Sequence, residues 1–289
     1  MYKLLLSVNK MFKLPVHPFN LHNDGKKTYA QWQYEKGMDT IKFYLKHNTA
    51  EEMFKDKSVL DIGCGAAGKT IFYASKGVKK IIGIEILGKY KEEALDLAKE
   101  YNMRDKFEFV TGDASNMPFE NETFDTIIMN DAMEHVDKPE EVLEECYRIL
   151  KQDGTLYLNF PPYNHPYGAH LSDAIGIPWV HVFFGEKTLI KAYKELVKDL
   201  PDGKERIEFR ISNNGDGEYF SYINKMSIKR ANRIIKNSSF KLEYYSEEPL
   251  RNIFKYPARM PFIKEYLVKM VVCVLKKWGW KWNLIKLIK

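Results

Sequence analysis

Ser58-Val59-Leu60-Asp61-Ile62-Gly63-Cys64-Gly65-Ala66-Ala67-Gly68 is the stretch whose reading decides the fold class of this chain. Val59, Leu60 and Ile62 make a short apolar run of strand length, and Gly63, Gly65 and Gly68 follow it at G-x-G-x-x-G spacing. Glycine tolerates positive φ and lets a ligand approach the backbone closely. The run Lys69 to Ser75 then reads as a helix whose N-terminus faces whatever the glycines cradle. Alone, the pattern marks a nucleotide-binding turn without saying which nucleotide.

Working outward, further short apolar runs alternate with helical periods. Ile81–Ile86 is a second strand between Gly77 and Gly88, and a helix follows over Tyr90–Tyr101 with Ala94, Leu97, Ala98 and Tyr101 on one face. Phe107–Thr111 and Phe124–Met129 are the third and fourth strands. Pro139 opens a helix at a position where its missing N–H costs nothing, and Val142, Leu143, Cys146, Ile149 and Leu150 form its apolar face. Asp153-Gly154 turns the chain into a fifth strand, Thr155–Phe160. Strands alternating with helices predict a doubly wound, parallel α/β sheet, which binds ligands outside the carboxyl ends of its strands. Gly63, Glu85, Asp113 and Asn130 all fall at or just beyond such ends.

The flanking regions are less regular. Residues 1–24 show no clear period, and Pro15 and Pro18 interrupt any helix there. Thr28 to His47 reads as one helix with Trp32, Ile41, Tyr44 and Leu45 as buried positions, lying across the ligand site; residues 1–56 thus form an N-terminal helical extension. Residues 161–225, rich in aromatics and holding a helix over Glu186–Leu200, read as an insertion capping the substrate, because long irregular loops in compact domains tend to carry function. The alternation resumes with a helix capped by Ser227 and running to Asn237, a strand at Phe240–Tyr245 and a last apolar strand within Lys269–Lys276, which closes a domain of residues 57–276. Residues 277–289 form a basic, aromatic tail.

Composition narrows the classes. At 45% hydrophobic and 29% charged, the 289 residues are those of an ordinary globular protein. Cys64, Cys146 and Cys273 stand far apart in no ligand spacing, which suits reduced, buried thiols and a cytoplasmic setting. No run reaches the roughly 18 apolar residues of a membrane-spanning helix, and Leu4–Leu6 is too short for a signal-peptide core. The net charge of +6 comes entirely from Lys269, Lys276, Lys277, Lys281, Lys286 and Lys289, since the rest holds 39 basic and 39 acidic residues. A nucleic-acid-binding body would spread its basic residues over a face, so nucleic acid is not expected as a partner. Trp278, Trp280 and Trp282 among those lysines suit peripheral contact with the inner membrane surface.

Two nucleotide cofactors compete for the glycines. In a dinucleotide dehydrogenase they would hold a pyrophosphate, with Glu85 on the ribose. A sulfonium cofactor needs the same glycines and ribose carboxylate, and also gives a role to Asp113 at the adenine. Several motifs together point to the second. Val59 to Gly65, Met117-Pro118-Phe119 leading into Phe124-Asp125, Glu134-His135-Val136, the helix ending Arg148-Ile149-Leu150-Lys151, and Asp153-Gly154 resemble, in order and spacing, the class I S-adenosylmethionine-dependent methyltransferases. The likeness is strongest to the methyltransferase type 11 group that contains the quinone-biosynthesis enzymes, and it covers about residues 57–160. It implies S-adenosyl-L-methionine as cofactor and a Rossmann-like, seven-stranded, mostly parallel sheet. The antiparallel last strand, here Met270–Leu275, would sit between the fifth and sixth. It further implies Asp61, Gly63 and Gly65 at the methionine end, Glu85 and the adjoining Ile86 at the ribose, Asp113 and Ala114 at the adenine, and Asn130 near the methionine carboxylate or amine.

The acceptor is expected to be a small molecule, methylated on an oxygen of an aromatic, sugar-like or lipid-borne compound. Alignment for in-line attack does most of the work, and an oxygen acceptor gains from a base, most often histidine. His135 follows the fourth strand, where such a Glu-His pair also serves purely structural ends. His170 and His181 lie in the insertion with His165 and many aromatics, a mixture that suits an organic pocket better than a metal. Two alternatives stay open. Asp131, Glu134 and His135 resemble the Glu-x-x-Glu-His cation site of some catechol and RNA O-methyltransferases, and the chain could also serve as a non-catalytic cofactor-binding module.

Overall fold

The computed structural model describes residues 1–17, 20, 27–257 and 260–278. Trp280, Trp282 and the lysines after them lie outside the described residues, as does Pro18. Packing divides the chain into two compact units. One comprises Met1–Lys26, Pro161–Ile228 and Pro249–Lys269; the other comprises Lys27–Phe160, Lys229–Glu248 and the chain from Met270. Residues 27–56 therefore group with the sheet, whereas residues 1–26 group with the irregular 161–228 region.

The larger unit is built on seven strands: β1 (Ser58–Ile62), β2 (Lys80–Glu85), β3 (Phe107–Thr111), β4 (Phe124–Asn130), β5 (Leu150–Phe160), β8 (Lys241–Pro249) and β9 (Val268–Lys276), with β6 (Ile211–Asn213) and β7 (Glu218–Phe220) forming a separate hairpin in the other unit. The order across the sheet is β3-β2-β1-β4-β5-β9-β8. β1 runs parallel to β2 and to β4, with Asp61 opposite Gly83 on one side and Ile128 on the other. β9 is antiparallel to β5, Leu158 facing Cys273, and occupies the slot between the fifth strand and the edge strand β8. The sheet is thus the expected doubly wound, mostly parallel one with a reversed last strand. β1 and β4 are both covered on two faces, which is why they are mostly apolar and do not alternate. All three cysteines are buried free thiols.

The order of strands reverses between β1 and β4, so the loops leaving their carboxyl ends flank the switch point where such sheets bind ligands. Helix Gly68–Ala74 follows β1, helix Lys91–Glu100 follows β2 and helix Pro139–Ile149 follows β4. The last buries Val142, Leu143, Cys146 and Ile149 as its spacing predicts.

Three elements differ from the sequence reading. Tyr2–Asn9 is a helix, although its residues show no clear period, because only Leu5 and Asn9 are buried. The continuous helix expected over 28–47 is broken into Tyr29–Glu35, Gly37–Ile41 and a 3₁₀ turn at Tyr44–Lys46. The break is at Gly37, where a Cβ would lie 2.3 Å from the Phe72 ring. Close approach of two elements, and not helix propensity, fixes the chain there. Leu45, expected to be buried, is exposed.

Helix Tyr29–Glu35 starts with a reciprocal cap: Gln31 N–H donates to Thr28 Oγ1 and Thr28 N–H donates to Gln31 Oε1, both at 3.2 Å. Thr28→Ala is expected to cost about 1 kcal/mol in denaturant unfolding. An unchanged midpoint would show that tertiary contacts alone hold the helix start.

Candidate active site

The glycine turn adopts left-handed backbone at Gly63 (φ 70°), Gly65 (φ 54°) and Ala67 (φ 58°) before helix Gly68–Ala74 begins. It is pinned on both sides. Gly63 N–H continues the β2 ladder to Ile84 O at 2.9 Å, and Gly65 N–H donates to Glu85 Oε2 at 3.0 Å. Glu85 Oε1 accepts from Leu87 N–H at 3.1 Å, so one carboxylate at the end of β2 grips both the glycine turn and its own succeeding turn. Beside it Ile86 is 67% exposed. At the end of β3, Asp113 is exposed and its Oδ1 accepts from Ser115 N–H and Oγ at 2.8 and 2.9 Å, a side-chain turn that fixes the loop carrying Ala114.

Asp61 is enclosed within β1, where its Oδ2 accepts from Thr70 Oγ1 at 2.6 Å. Burial pushes its pKa up to about 7, against the opposing pull of Thr70 and the Lys69 charge. Asn130 ends β4 inside a buried polar cage: its Oδ1 accepts from Tyr44 OH and from Asn159 Nδ2, each at 2.6 Å, and its Nδ2 donates to Tyr73 OH at 3.0 Å. The amide expected near the cofactor's methionine is thus fixed in position by Tyr44, Tyr73 and Asn159. Asp131, next in sequence, has φ 52° and pairs with Lys69 Nζ at 3.0 Å. Glu134 is buried, and burial together with the Asp131 charge holds its carboxyl well above the usual range. His135 is exposed, its Nε2 3.9 Å from Glu134 Oε1. The cation site suggested by Asp131, Glu134 and His135 needs Asp131 as a ligand, and Lys69 engages that carboxylate.

The structure adds residues that the sequence reading did not single out. Helix Tyr29–Glu35 lies directly on the glycine turn. Gly68 N–H donates to Gln33 Oε1 at 3.1 Å, Gln33 Nε2 donates to Cys64 O at 3.4 Å, and Ala30 N–H donates to Glu93 Oε1 at 2.8 Å. Gly68 permits this approach, since a Cβ there would lie 1.9 Å from Ala30 O. Tyr29 OH stands 3.2 Å from where a Gly65 Cβ would be, and burial beside Tyr90, Glu85 and Asp131 raises its pKa. The capping pair at Thr28 and Gln31 was the one local signal that a helix begins here.

This donor set suits a cationic sulfonium cofactor. Glu85 and Asp131 lie beside Tyr29 at the turn and Asp61 sits within the adjoining strand, an acidic surround that favours an ammonium or sulfonium over a pyrophosphate. Glu85 can also accept both hydroxyls of a ribose.

Residues 60–158 match the family described as a methyltransferase domain. The sheet order, the acidic surround of the glycine turn and that match agree. Residues 60–158 are a class I S-adenosylmethionine-dependent methyltransferase domain, and S-adenosyl-L-methionine is its cofactor. Sterol 24-C-methyltransferase ERG6 of Saccharomyces cerevisiae is 32% identical over 176 residues, which cover 56% of this chain and 45% of that one. The chloroplastic tocopherol O-methyltransferase of Arabidopsis thaliana is 32% identical over 108 residues, 37% of this chain and 31% of that one. The chain therefore spans less than two thirds of these relatives' length. In fold, the methyltransferase domain and its additions resemble a putative S-adenosylmethionine dependent methyltransferase from Listeria monocytogenes, with a TM-score of 0.53 at 16% identity over 84% of this chain and 99% of that one.

His165, His170 and His181 belong to the other unit. His165 Nδ1 accepts from Tyr167 N–H at 3.2 Å, and burial lowers its pKa to about 4. His181 packs at a tilt against Tyr163 with ring centroids 4.7 Å apart, and burial lowers its pKa to about 4 as well. Neither His181 nitrogen makes a hydrogen bond of ordinary geometry among the described residues, although the Tyr163 backbone favours protonation slightly. His170 has left-handed backbone at φ 50°, and its carbonyl accepts from Arg210 Nη1 at 2.6 Å. Arg210 also donates to Asp173 Oδ1 at 3.0 Å and to Tyr193 OH at 2.8 Å, and its guanidinium lies 4.5 Å from the Tyr222 ring centroid. Arg206 donates to Asp173 Oδ2 at 3.2 Å and to Asp202 Oδ2 at 2.9 Å. Two buried arginines are thus matched by two carboxylates in a network that fixes the 169–173 segment.

Proposed function

We propose that this protein transfers the methyl group of S-adenosylmethionine to an oxygen of a small, lipid-borne or aromatic acceptor. The observation that carries the reading is the Glu85 carboxylate, which ties the Gly65 turn to the end of β2 at the sheet's switch point while a second acid, Asp113, stands past β3. The bound cofactor supplies an electrophilic methyl group on a sulfonium. The chain's own residues do the rest. Glu85 binds the ribose hydroxyls, exposed Ile86 and Ala114 pack on the adenine, Asp113 accepts from its amino group, and Asp61 and Tyr29 with the Gly63–Gly65 backbone border the methionine end. Asn130, held in its cage at the end of β4, stands near the methionine carboxylate or amine.

For the acceptor we assign recognition to the aromatic and histidine-rich unit, with His170 and His181 as candidate bases and His135 as a third, at the end of β4. His181 is neutral at pH 7 because burial lowers its pKa to about 4, so it can accept a hydrogen bond from a hydroxyl. The names of the relatives, a sterol and a tocopherol methyltransferase, support a lipid acceptor. The compartment we infer is the cytoplasm, with the basic Trp-rich tail touching the inner membrane surface.

His170→Gln and His181→Gln are each expected to lower turnover, by about a hundredfold for whichever serves as the base. Cofactor affinity should stay unchanged. Full activity in both, and loss in His135→Gln, would move the base to the end of β4. The reading as a whole is tested by methyl-labelled S-adenosylmethionine with fractionated cell extract. Label in the organic phase supports it, label confined to water-soluble products overturns the lipid acceptor, and tight cofactor binding without any transfer would leave a binding module. Turnover lost on chelation and in Glu134→Ala would instead favour the cation-dependent alternative.

A further inference from the structure

We propose that the smaller unit carries a docking surface for an anionic phospholipid bilayer, formed by the 250–264 loop together with residues 11–16. This goes beyond the methyl-transfer reading and does not depend on it. Leu250 N–H donates to Leu267 O at 2.9 Å, which closes the base of the loop between them. That loop displays large apolar side chains to solvent: Phe262 is 88%, Tyr256 73% and Ile253 72% exposed. Scattered exposed hydrophobics are ordinary, but several large ones on one short loop are not.

Within the same unit the 176–179 strip touches both the N-terminal segment and the chain just after this loop. A Cβ on Gly176 would lie 2.9 Å from Lys13 O and 3.2 Å from Phe12 Cβ, and the Trp179 indole N–H donates to Tyr266 O at 3.3 Å. Met11 and Val16, both strongly exposed, extend the apolar surface on that side.

The charge pattern selects the occupant. Between Glu248 and Glu265 the sequence holds Arg251, Lys255, Arg259 and Lys264 and no acid; residues 1–17 hold Lys3, Lys10 and Lys13 and no acid. Interfaces with other proteins, including a second copy, are depleted in lysine around their apolar core. Exposed aromatic and aliphatic side chains in basic, acid-free segments suit the headgroup layer of an anionic bilayer, where the apolar groups bury and the lysines meet lipid phosphate. The Trp-rich tail is a separate stretch of sequence, so the two can be told apart.

The test is co-sedimentation of the full chain with phosphatidylcholine vesicles with and without phosphatidylglycerol. Partition onto the anionic vesicles is expected, and high salt should weaken it. The Ile253→Ser/Phe262→Ser variant should lower the partition coefficient at least about tenfold, and Lys255→Glu at least about fivefold. A near-ultraviolet circular dichroism spectrum and unfolding midpoint unchanged from wild type verify that each variant is folded, and Tyr256→Ser serves if the double variant is not. The proposal is overturned if the wild-type chain ignores anionic vesicles, or if these variants bind like wild type while Trp280→Ser/Trp282→Ser abolishes binding. It is equally overturned if Phe262→Ser converts a dimer to a monomer in sedimentation without altering vesicle binding, because the face would then join two copies.

Discussion

Glu85→Ala is expected to raise the dissociation constant for S-adenosylmethionine roughly a thousandfold, measured by isothermal titration calorimetry. Both oxygens of this carboxylate are already anchored, Oε2 by Gly65 N–H at 3.0 Å and Oε1 by Leu87 N–H at 3.1 Å. Their orientation is therefore set before any ligand arrives, and their remaining lone pairs are what a ribose diol would meet. A hydrogen bond to a charged acceptor contributes about 1.5–3 kcal/mol, so losing two costs about 4 kcal/mol. Truncation also releases the Gly65 turn from β2, which adds disorder to the same site. Glu85→Gln keeps one acceptor oxygen and should cost far less, about tenfold. A Glu85→Ala protein that is folded by near-ultraviolet circular dichroism and binds the cofactor within a few-fold of wild type would remove Glu85 from the site.

The central sheet was readable because its strands carry their own signals. Val59–Ile62 and Ile81–Ile84 are buried on both faces and so are apolar without alternation, and Pro139 and Asp153-Gly154 punctuate the chain where elements begin and turn. The reversed last strand came from resemblance, since nothing in Met270–Leu275 itself encodes antiparallel pairing with β5. What stayed hidden is non-local. Asn130 is legible as a polar residue at a ligand-facing strand end, but not the cage that Tyr44 and Tyr73, 86 and 57 residues away, build around it. Gly37 reads as a tolerated helical glycine until the Phe72 ring arrives against it. Arg206 and Arg210 sit in helix Gly203–Arg210 among exposed charges, and their shared partner Asp173, more than thirty residues earlier, with Tyr193 and the His170 carbonyl, explains their burial. Periodicity registers which face of an element is apolar, but not which distant polar group closes over it.

Asp61→Asn should separate stability from binding. The folded protein holds the Asp61 proton until about pH 7, whereas the unfolded chain releases it near the ordinary value of 3.8. Between those values the folded state binds more protons than the unfolded one, so the contribution of this residue to stability falls as pH rises through that window. Above it the ionised, enclosed carboxylate costs the fold about 4 kcal/mol, and below it nothing. An asparagine cannot ionise and can still accept the Thr70 hydroxyl, so the variant should unfold at a higher denaturant concentration than wild type at pH 8 and at the same concentration near pH 4. Parallel stability profiles for the two proteins would refute the assignment. A buried acid that destabilises its own fold at neutral pH persists most readily where a ligand compensates for it, and a cation at the methionine end would do so by favouring the ionised form. Binding of the cofactor to wild type near pH 6 should then release a proton, seen as a dependence of the calorimetric heat on buffer ionisation enthalpy. In Asp61→Asn that dependence should vanish together with much of the affinity. Were the proton release to persist in the variant, the titrating group would have to be another of the acids around the glycine turn.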